Sequence, residues 1–329
     1  MKSNKMNMIF IIGNSRSGTT MMANILAKNN DTLVFKELHF FDVLSTSELV
    51  KYDKNQALKI YAKLLCSNKL EPWNLNKYTQ FLIQAENELK ITKSITNYEL
   101  FKLFISNQLK KHGKNIAVEQ TPRNSFHFEK IAAHMPNSRF IHMIRDCRAI
   151  LISQKNKWKR NRFGGKLTRK EVVRQFINYN PVITSTLYNK TLSRIISHQK
   201  GISDDLFTTV KYENLLLKPE KTLENLFSFL NLYYSDNVLE INHSSSSFEK
   251  KSKIGIDSSR IGDWKNHINN TECFIAQKIN LKLLRKLNYK IIKDVIPNPL
   301  VLIYSFIILP IQFILILIFS FNYFIKDGK

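Results

Sequence analysis

Five short apolar runs mark the first two-thirds of the chain: "MIFIIG", "TLVFKE", "NIAVEQ", "RFIHMIRD" and "LFTTVKYE". Stretches with apolar residues at helical spacing separate them. Continuous apolar runs that alternate with helices are the mark of strands buried on both faces, so the pattern predicts an α/β fold with a parallel sheet flanked by helices. One long excursion, roughly residues 43–112, is polar and helical without an evident strand, and reads as a helical insertion or lid. The simplest partition is one α/β domain over residues 1–290, followed by a hydrophobic segment over 296–325.

That last segment has its own pattern. No charged residue occurs from Val295 to Ile325, and "LVLIYSFIILPIQFILILIFSFNYF" is long and apolar enough to predict a transmembrane or membrane-associated helix. The preceding "KINLKLLRKLNYKIIKD" carries six basic residues and one acid, whereas only "KDGK" follows. This lysine and arginine asymmetry predicts a main domain facing the cytoplasm. Pro310 and Gln312 interrupt the apolar run, which keeps a re-entrant or interfacial arrangement open.

Composition narrows the partners. The 329 residues are 43% hydrophobic, enough to fill a core, and the formal net charge is +24. Such an excess favours anionic partners, although a solvated basic face explains it equally well. The three cysteines, Cys66, Cys147 and Cys273, show no metal-ligand spacing and suggest a reducing compartment. The chain enters a strand pattern within a few residues of Met1, so no signal peptide is expected.

The stretch "GNSRSGTT", Gly13 to Thr20, lies between the first apolar run and the helical "MMANILAKNN". A strand, a glycine-containing loop and a helix start together aim backbone N–H groups at an anion, so the expectation is a P-loop-type phosphate cradle. Gly13 and Gly18 have the Walker spacing, but Thr19 stands where the lysine would be, and the loop's cation is Arg16. No strand ends in a clean metal-binding aspartate, so the loop lacks the parts of metal-assisted phosphoryl transfer. A second constellation, "IRDCRAILIS", puts Arg145 at the carboxyl end of a strand and Ser153 in the first turns of the next helix. An arginine and a hydroxyl there suit a second phosphate.

Together these blocks resemble the sulfotransferase superfamily that uses 3′-phosphoadenosine 5′-phosphosulfate (PAPS), and come nearest in motif to heparan-type and bacterial glycan sulfotransferases. "RSGTT" is similar to the family's 5′-phosphosulfate loop, and Arg145 with Ser153 to its 3′-phosphate motif. "FKELHFFD", Phe35 to Asp42, resembles the segment bearing the catalytic glutamate, and "VEQTPRN", Val118 to Asn124, an element in which Gln120 replaces the usual lysine. "VKYENL" around Tyr212 resembles the strand lining the adenosine, and "GDWKN", Gly262 to Asn266, the closing loop. The matches run in the family's order over roughly residues 7–268, but the basic cluster preceding Gly262 is not reproduced in register, leaving Arg260 or Lys253 as substitutes.

The resemblance implies a PAPS-dependent transferase without a metal, with Glu37 as general base. It further implies Arg16 over the bridging oxygen, Lys36 as a second cation, and His39 and Asp42 orienting the base or meeting sugar hydroxyls. Arg16, Ser17, Gly18, Thr19, Thr20, Arg145, Ser153, Tyr212, Arg260, Gly262, Trp264 and Lys265 are the implied donor-binding residues. The expected partners are PAPS and its product 3′-phosphoadenosine 5′-phosphate (PAP), a carbohydrate or lipid-linked glycan, and a membrane, with no nucleic acid. The aromatic pair in "HFF" fits either sugar faces or a core, and His142, in mid-strand, reads as a satisfied core histidine. Two rival functions are a P-loop nucleotide kinase, which the absent lysine opposes, and a non-enzymatic basic membrane-surface protein, which leaves the ordered motifs unexplained.

Overall fold

The computed structural model describes residues 7–70, 72–91, 93–159, 169–241 and 255–324. Two compact units divide the chain: Met1–Ile144 with Arg194–Ile241, and Arg145–Ser193 with Asn242–Lys329.

In the first unit the strands are β1 (Asn7–Gly13), β2 (Thr32–Val34), β3 (Lys51–Asp53), β4 (Ser94–Thr96), β5 (Ile116–Glu119), β6 (Arg139–Ile144) and β7 (Phe207–Lys211). Five of them form one sheet in the order β2–β5–β1–β6–β7, and every pairing is parallel. The α/β expectation with a parallel sheet is met. β1 is central, with sheet neighbours on both sides, and is buried from Met8 onward, as a strand covered on both faces is. The order also reverses about β1, and open α/β sheets place ligands beyond the carboxyl ends of their strands at such a point.

Helices α1 (Thr19–Leu26), α2 (Lys54–Lys69), α3 (Leu82–Glu88), α4 (Asn97–His112), α5 (Phe128–His134), α9 (Tyr212–Leu217) and α10 (Pro219–Leu230) belong to this unit. Both α2 and α4 start with a capping box, Asp53 with Gln56 and Thr96 with Glu99, which satisfies N–H groups that a helix start leaves open. Residues 43–112 hold α2, α3 and α4, and also β3 and β4, paired antiparallel. Their three-residue length and exposed Lys51, Asp53 and Ser94 erase the apolar alternation that would announce them.

The core is aromatic. Phe10 stacks on Phe140 at 5.5 Å, and Phe40 on Phe101 at 4.8 Å, all four nearly inaccessible. Phe41 packs against Phe40, Tyr98 and Phe101. The "HFF" aromatics therefore serve the core, and sugar-face contact is not their role. Rings of this size dominate core energetics, and removing one costs about 3–5 kcal/mol.

The second unit holds α6 (Cys147–Lys155), α7 (Arg169–Ile177), most of α8 (Pro181–His198), α11 (Asn270–Lys286) and α12 (Pro299–Phe324). The C-terminal apolar run is thus helical. Among the described residues, however, no helix is long and apolar enough to cross a membrane, so a transmembrane span is not supported. The side chains at 313 and 316–324 lie outside the described set.

Candidate active site

The glycine loop grows directly out of β1. Gly13 has φ 147°, and a Cβ there would lie 2.5 Å from the Met143 carbonyl oxygen, so only glycine lets the loop leave the sheet. The Gly13 N–H donates to Ser125 Oγ at 2.7 Å, and the same hydroxyl donates back to the Gly13 carbonyl at 3.0 Å. Ser125, just past "VEQTPRN", therefore fastens the loop's root. Arg16 adopts the left-handed conformation at φ 75°, and Gly18 precedes α1 at φ 99°. The first turn of α1 presents N–H groups without intrahelical acceptors, the arrangement that binds anions.

Ser17 is fully buried, and its Oγ has no hydrogen-bond partner among the described residues. Thr19 is buried and Thr20 half-buried at the helix start. The Tyr212 ring packs on Gly18 so closely that a Cβ at Gly18 would sit 2.5 Å from Cδ2. Tyr212 therefore borders the phosphate loop itself.

A second cluster forms where the chain leaves β2. The predicted strand stops at Val34; the Phe35 N–H still reaches the Val118 carbonyl, and then the chain turns. His39 takes φ 52° and leads into a π-helical turn over Phe40–Leu44. This turn sends Phe40 and Phe41 into the core and swings Asp42 back toward His39. The imidazole lies between two carboxylates, Nε2 at 3.2 Å from Glu37 Oε2 and Nδ1 at 3.2 Å from Asp42 Oδ2. Arg123 Nε donates to the same Asp42 oxygen at 2.9 Å. Glu37 remains 39% exposed at its side chain, whereas Asp42 is 2% exposed. Glu37 is thus open to a hydroxyl from outside, while the buried Asp42 holds His39 through Nδ1.

Burial opposes a charge on His39, but hydrogen bonds and charge attraction from Asp42 and Glu37 outweigh it and push the pKa up to about 9. The group is an imidazolium at neutral pH. Beneath it, Glu119 is fully buried and accepts hydrogen bonds from the Thr121 hydroxyl and the Asn124 amide. Burial raises its pKa to about 7, opposed by the Thr121 bonds. Thr121 Oγ1 also accepts from the His39 N–H, so "EQTPRN" props up the His39 turn. Gln120, where the resemblance expects lysine, is buried.

Lys36 is not brought to this cluster. Its ammonium donates to the Lys69 and Leu70 carbonyls at the end of α2. The extended chain alternates there, so Lys36 and Glu37 face apart. Lys36, expected as a second transfer cation, is here a helix-end contact. His142 also departs from expectation: it is buried, but neither ring nitrogen has a hydrogen-bond partner among the described residues, and burial lowers its pKa to about 3.

The second unit is built around the other predicted block. Arg145 follows β6, and its carbonyl accepts from the Tyr188 hydroxyl at 3.0 Å. Ser153 lies buried in α6. The Asp146 carboxylate is gripped by Arg148 through Nε at 2.9 Å and Nη2 at 2.7 Å. The Arg148 guanidinium lies 4.5 Å from the Trp264 ring centroid, so the "GDWKN" segment is anchored by a buried cation–π contact. Trp264 is buried and Lys265 exposed, while Gly262 takes φ 81°. Arg260 lies 3.8 Å from Asp257, and Lys253 falls outside the described residues. No group of three or more His, Cys, Asp or Glu side chains among the described residues is placed to hold a metal ion.

Arg123, Ser125 and Arg148 are the residues that sequence reasoning passed over. Arg123 and Arg148 sit inside quoted motifs and Ser125 just past one, but their partners, Asp42, Trp264 and Gly13, are unforeseeable from spacing.

A glycine loop and helix start without the kinase lysine, and a strand exit carrying a carboxylate–imidazolium pair, are features that suit group transfer. Residues 8–236 match the Sulfotransferase family, and the chain belongs to that family. It is 26% identical over 241 residues to a putative protein-tyrosine sulfotransferase of Caenorhabditis briggsae, covering 73% of this chain and 70% of the relative. It is 25% identical to protein-tyrosine sulfotransferase 2 of Gallus gallus, covering 72% of this chain but 54% of the relative. In fold it is similar to the sulfotransferase domain from the Synechococcus PCC 7002 olefin synthase, with a TM-score of 0.56 at 15% identity, covering 86% of this chain and 95% of that one. The sulfotransferase domain from the curacin biosynthetic pathway gives 0.54 at 16% identity, covering 86% and 98%.

Proposed function

We propose that the chain transfers the sulfuryl group of PAPS to a hydroxyl, with Glu37 as general base. The observation that carries this reading is the Glu37–His39 pair: His39 Nε2 occupies Glu37 Oε2, and Oε1 is left to accept a proton. The acceptor's O–H proton passes to Glu37 as its oxygen bonds to sulfur. The S–O bond to the 5′-phosphate breaks, and its electron pair leaves with PAP. Arg16 and the loop amides from Ser17 to Thr20 would neutralise charge gathering on the bridging oxygen. Tyr212 would border the donor beside Gly18, Arg145 and Ser153 would bind the 3′-phosphate, and Arg260, Gly262, Trp264 and Lys265 would close over it. No step in this scheme calls for a metal.

For the acceptor, the "FKELHFFD" resemblance supports a carbohydrate or lipid-linked glycan. A second reading, a protein tyrosine, is favoured by the names of the two curated relatives. The basic run before α12 supports attachment to a membrane with the catalytic domain facing the cytoplasm, as at a bacterial inner membrane.

Incubation with labelled PAPS, membrane and capsule extracts and tyrosine peptides, with products analysed by mass, separates the acceptors. Glu37→Gln should lower turnover about 100- to 10,000-fold while PAP binding is retained. Normal turnover in that variant removes Glu37 from the chemistry.

A further inference from the structure

The two faces of α12 differ in a way that fixes how it can meet lipid. One face carries Leu302, Ser305, Leu309 and Gln312 at helical spacing, and Ser305 is buried. The Gln312 amide donates to the Ile177 carbonyl at 3.4 Å and the Tyr179 carbonyl at 3.1 Å, and accepts from Asn180 Nδ2 at 2.7 Å. Asn180 Nδ2 also donates to the Ser305 carbonyl at 3.1 Å. The α7–α8 turn that makes these bonds is itself tied to charge: the Tyr179 hydroxyl donates to Glu272 at 2.6 Å, and Lys155 pairs with Glu272 at 2.8 Å.

The opposite face is apolar and open. Leu300, Ile303, Ile307, Ile311 and Ile314 recur on one stripe, each more than half exposed. Just before α12, Lys278, Lys282, Arg285, Lys286, Lys290 and Lys293 are all exposed. An apolar stripe beside a dense cationic run complements a bilayer whose headgroups are anionic.

Distance along the helix excludes a simple crossing. At ~1.5 Å per residue, Gln312 lies about 20 Å from Pro299, and the helix continues only about 18 Å beyond it. A hydrocarbon core is about 30 Å thick, so the part beyond the Gln312 clasp is too short to span it alone. A crossing that began at Pro299 would drag the Tyr179 turn and the Lys155–Glu272 pair deep into lipid, which is costly for ionised groups.

We infer that α12 lies within one leaflet of an anionic bilayer, its Ile303–Ile307–Ile311 stripe in the hydrocarbon and its Gln312 face clasped to the α7–α8 turn, without reaching the far side. This rests on the membrane attachment proposed above and specifies its geometry.

The test uses the full chain, exchanged from detergent onto sealed phosphatidylglycerol–phosphatidylcholine vesicles, with a cleavable tag after Lys329. Flotation should show binding that falls about tenfold or more on pure phosphatidylcholine. Ile303→Asp with Ile307→Asp should weaken binding by a similar factor or more while PAP binding persists. Lys282→Glu with Lys286→Glu, which leaves α12 untouched, should weaken it too, and serves if the first variant fails to fold. Protease added outside should remove the tag completely. A protected tag means that α12 crosses, and overturns the single-leaflet geometry while leaving attachment intact. No flotation by the unmodified chain overturns attachment itself. A dimer that the Ile303→Asp, Ile307→Asp change dissolves, without flotation, assigns the stripe to a second copy of the chain.

Discussion

His39 and His142 belong to the same unit, and burial works against an imidazolium at both. They nevertheless titrate at opposite extremes, about 9 for His39 and about 3 for His142. The difference is what faces each ring. His39 has a carboxylate on each nitrogen, whereas among the described residues His142 has no hydrogen-bond partner and packs near Phe207 at 6.0 Å. Burial sets the cost of a charge, and the neighbours decide whether that cost is met. A shielded histidine keeps its proton only where the fold bends acidic groups around it, and the π-helical turn after His39 brings Asp42 to the ring.

Their pH signatures should run in opposite directions. The folded chain holds the His39 proton up to about 9, so that residue's contribution to stability is complete below 6.5 and is lost as pH rises through about 9. His142 refuses a proton that the unfolded chain accepts below 6.5, so its share of stability is complete above 6.5 and erodes as pH falls toward about 3.

The largest effect should come from breaking the clamp on His39. Asp42→Asn keeps a carbonyl oxygen but removes the negative charge shared by His39 and Arg123, and should cost about 3 kcal/mol of stability. It should also lower the His39 pKa by at least a unit and reduce turnover by roughly 100-fold. Histidine NMR titration beside denaturant melts reads these changes; an unmoved His39 resonance would mean that Glu37 alone holds the charge.

Erasing the other histidine should do the reverse. His142→Phe removes unpartnered polar nitrogens from an apolar strand and should raise stability by about 1 kcal/mol at neutral pH. It should also flatten the acid loss, which otherwise amounts to ~1.4 kcal/mol per pH unit in the range where only the unfolded chain is protonated. An unchanged acid limb in urea melts at several pH values would show that other groups govern it.

The smallest change concerns the neighbour of the clamp. Lys36→Ala should cost about 0.3–1 kcal/mol through the end of α2 and leave turnover within about twofold of the unmodified chain. A loss of turnover beyond tenfold would return Lys36 to the transfer chemistry.

Much of the sheet was legible because its three central strands, β1, β5 and β6, are buried on both faces and show it as near-continuous apolar runs. The pair β3 and β4 escaped notice, being short and half-exposed, with no alternation to read. "FKELHFFD" marked the segment that carries the Glu37–His39–Asp42 cluster, but sequence alone could not tell which side chains turn inward. The left-handed His39 decides this, sending Phe40 and Phe41 to the core and Asp42 to the imidazole. Arg123 was hidden for another reason: its partner Asp42 lies on a different element, and only the sheet order, which places β2 next to β5, brings their following loops together. The apolar C-terminus read as a span because composition cannot show that Gln312 is already committed to the α7–α8 turn.

The proposed function requires the glycine loop and the Arg145 block to serve one donor that carries phosphate on both the 3′ and the 5′ position of its ribose. Competition between PAP and AMP, titrated calorimetrically into the full chain, tests it most directly. The two ligands differ only in the 3′-phosphate, and a charge-assisted arginine contact should make PAP bind about 30- to 100-fold more tightly. Equal affinity for PAP and AMP would contradict the account.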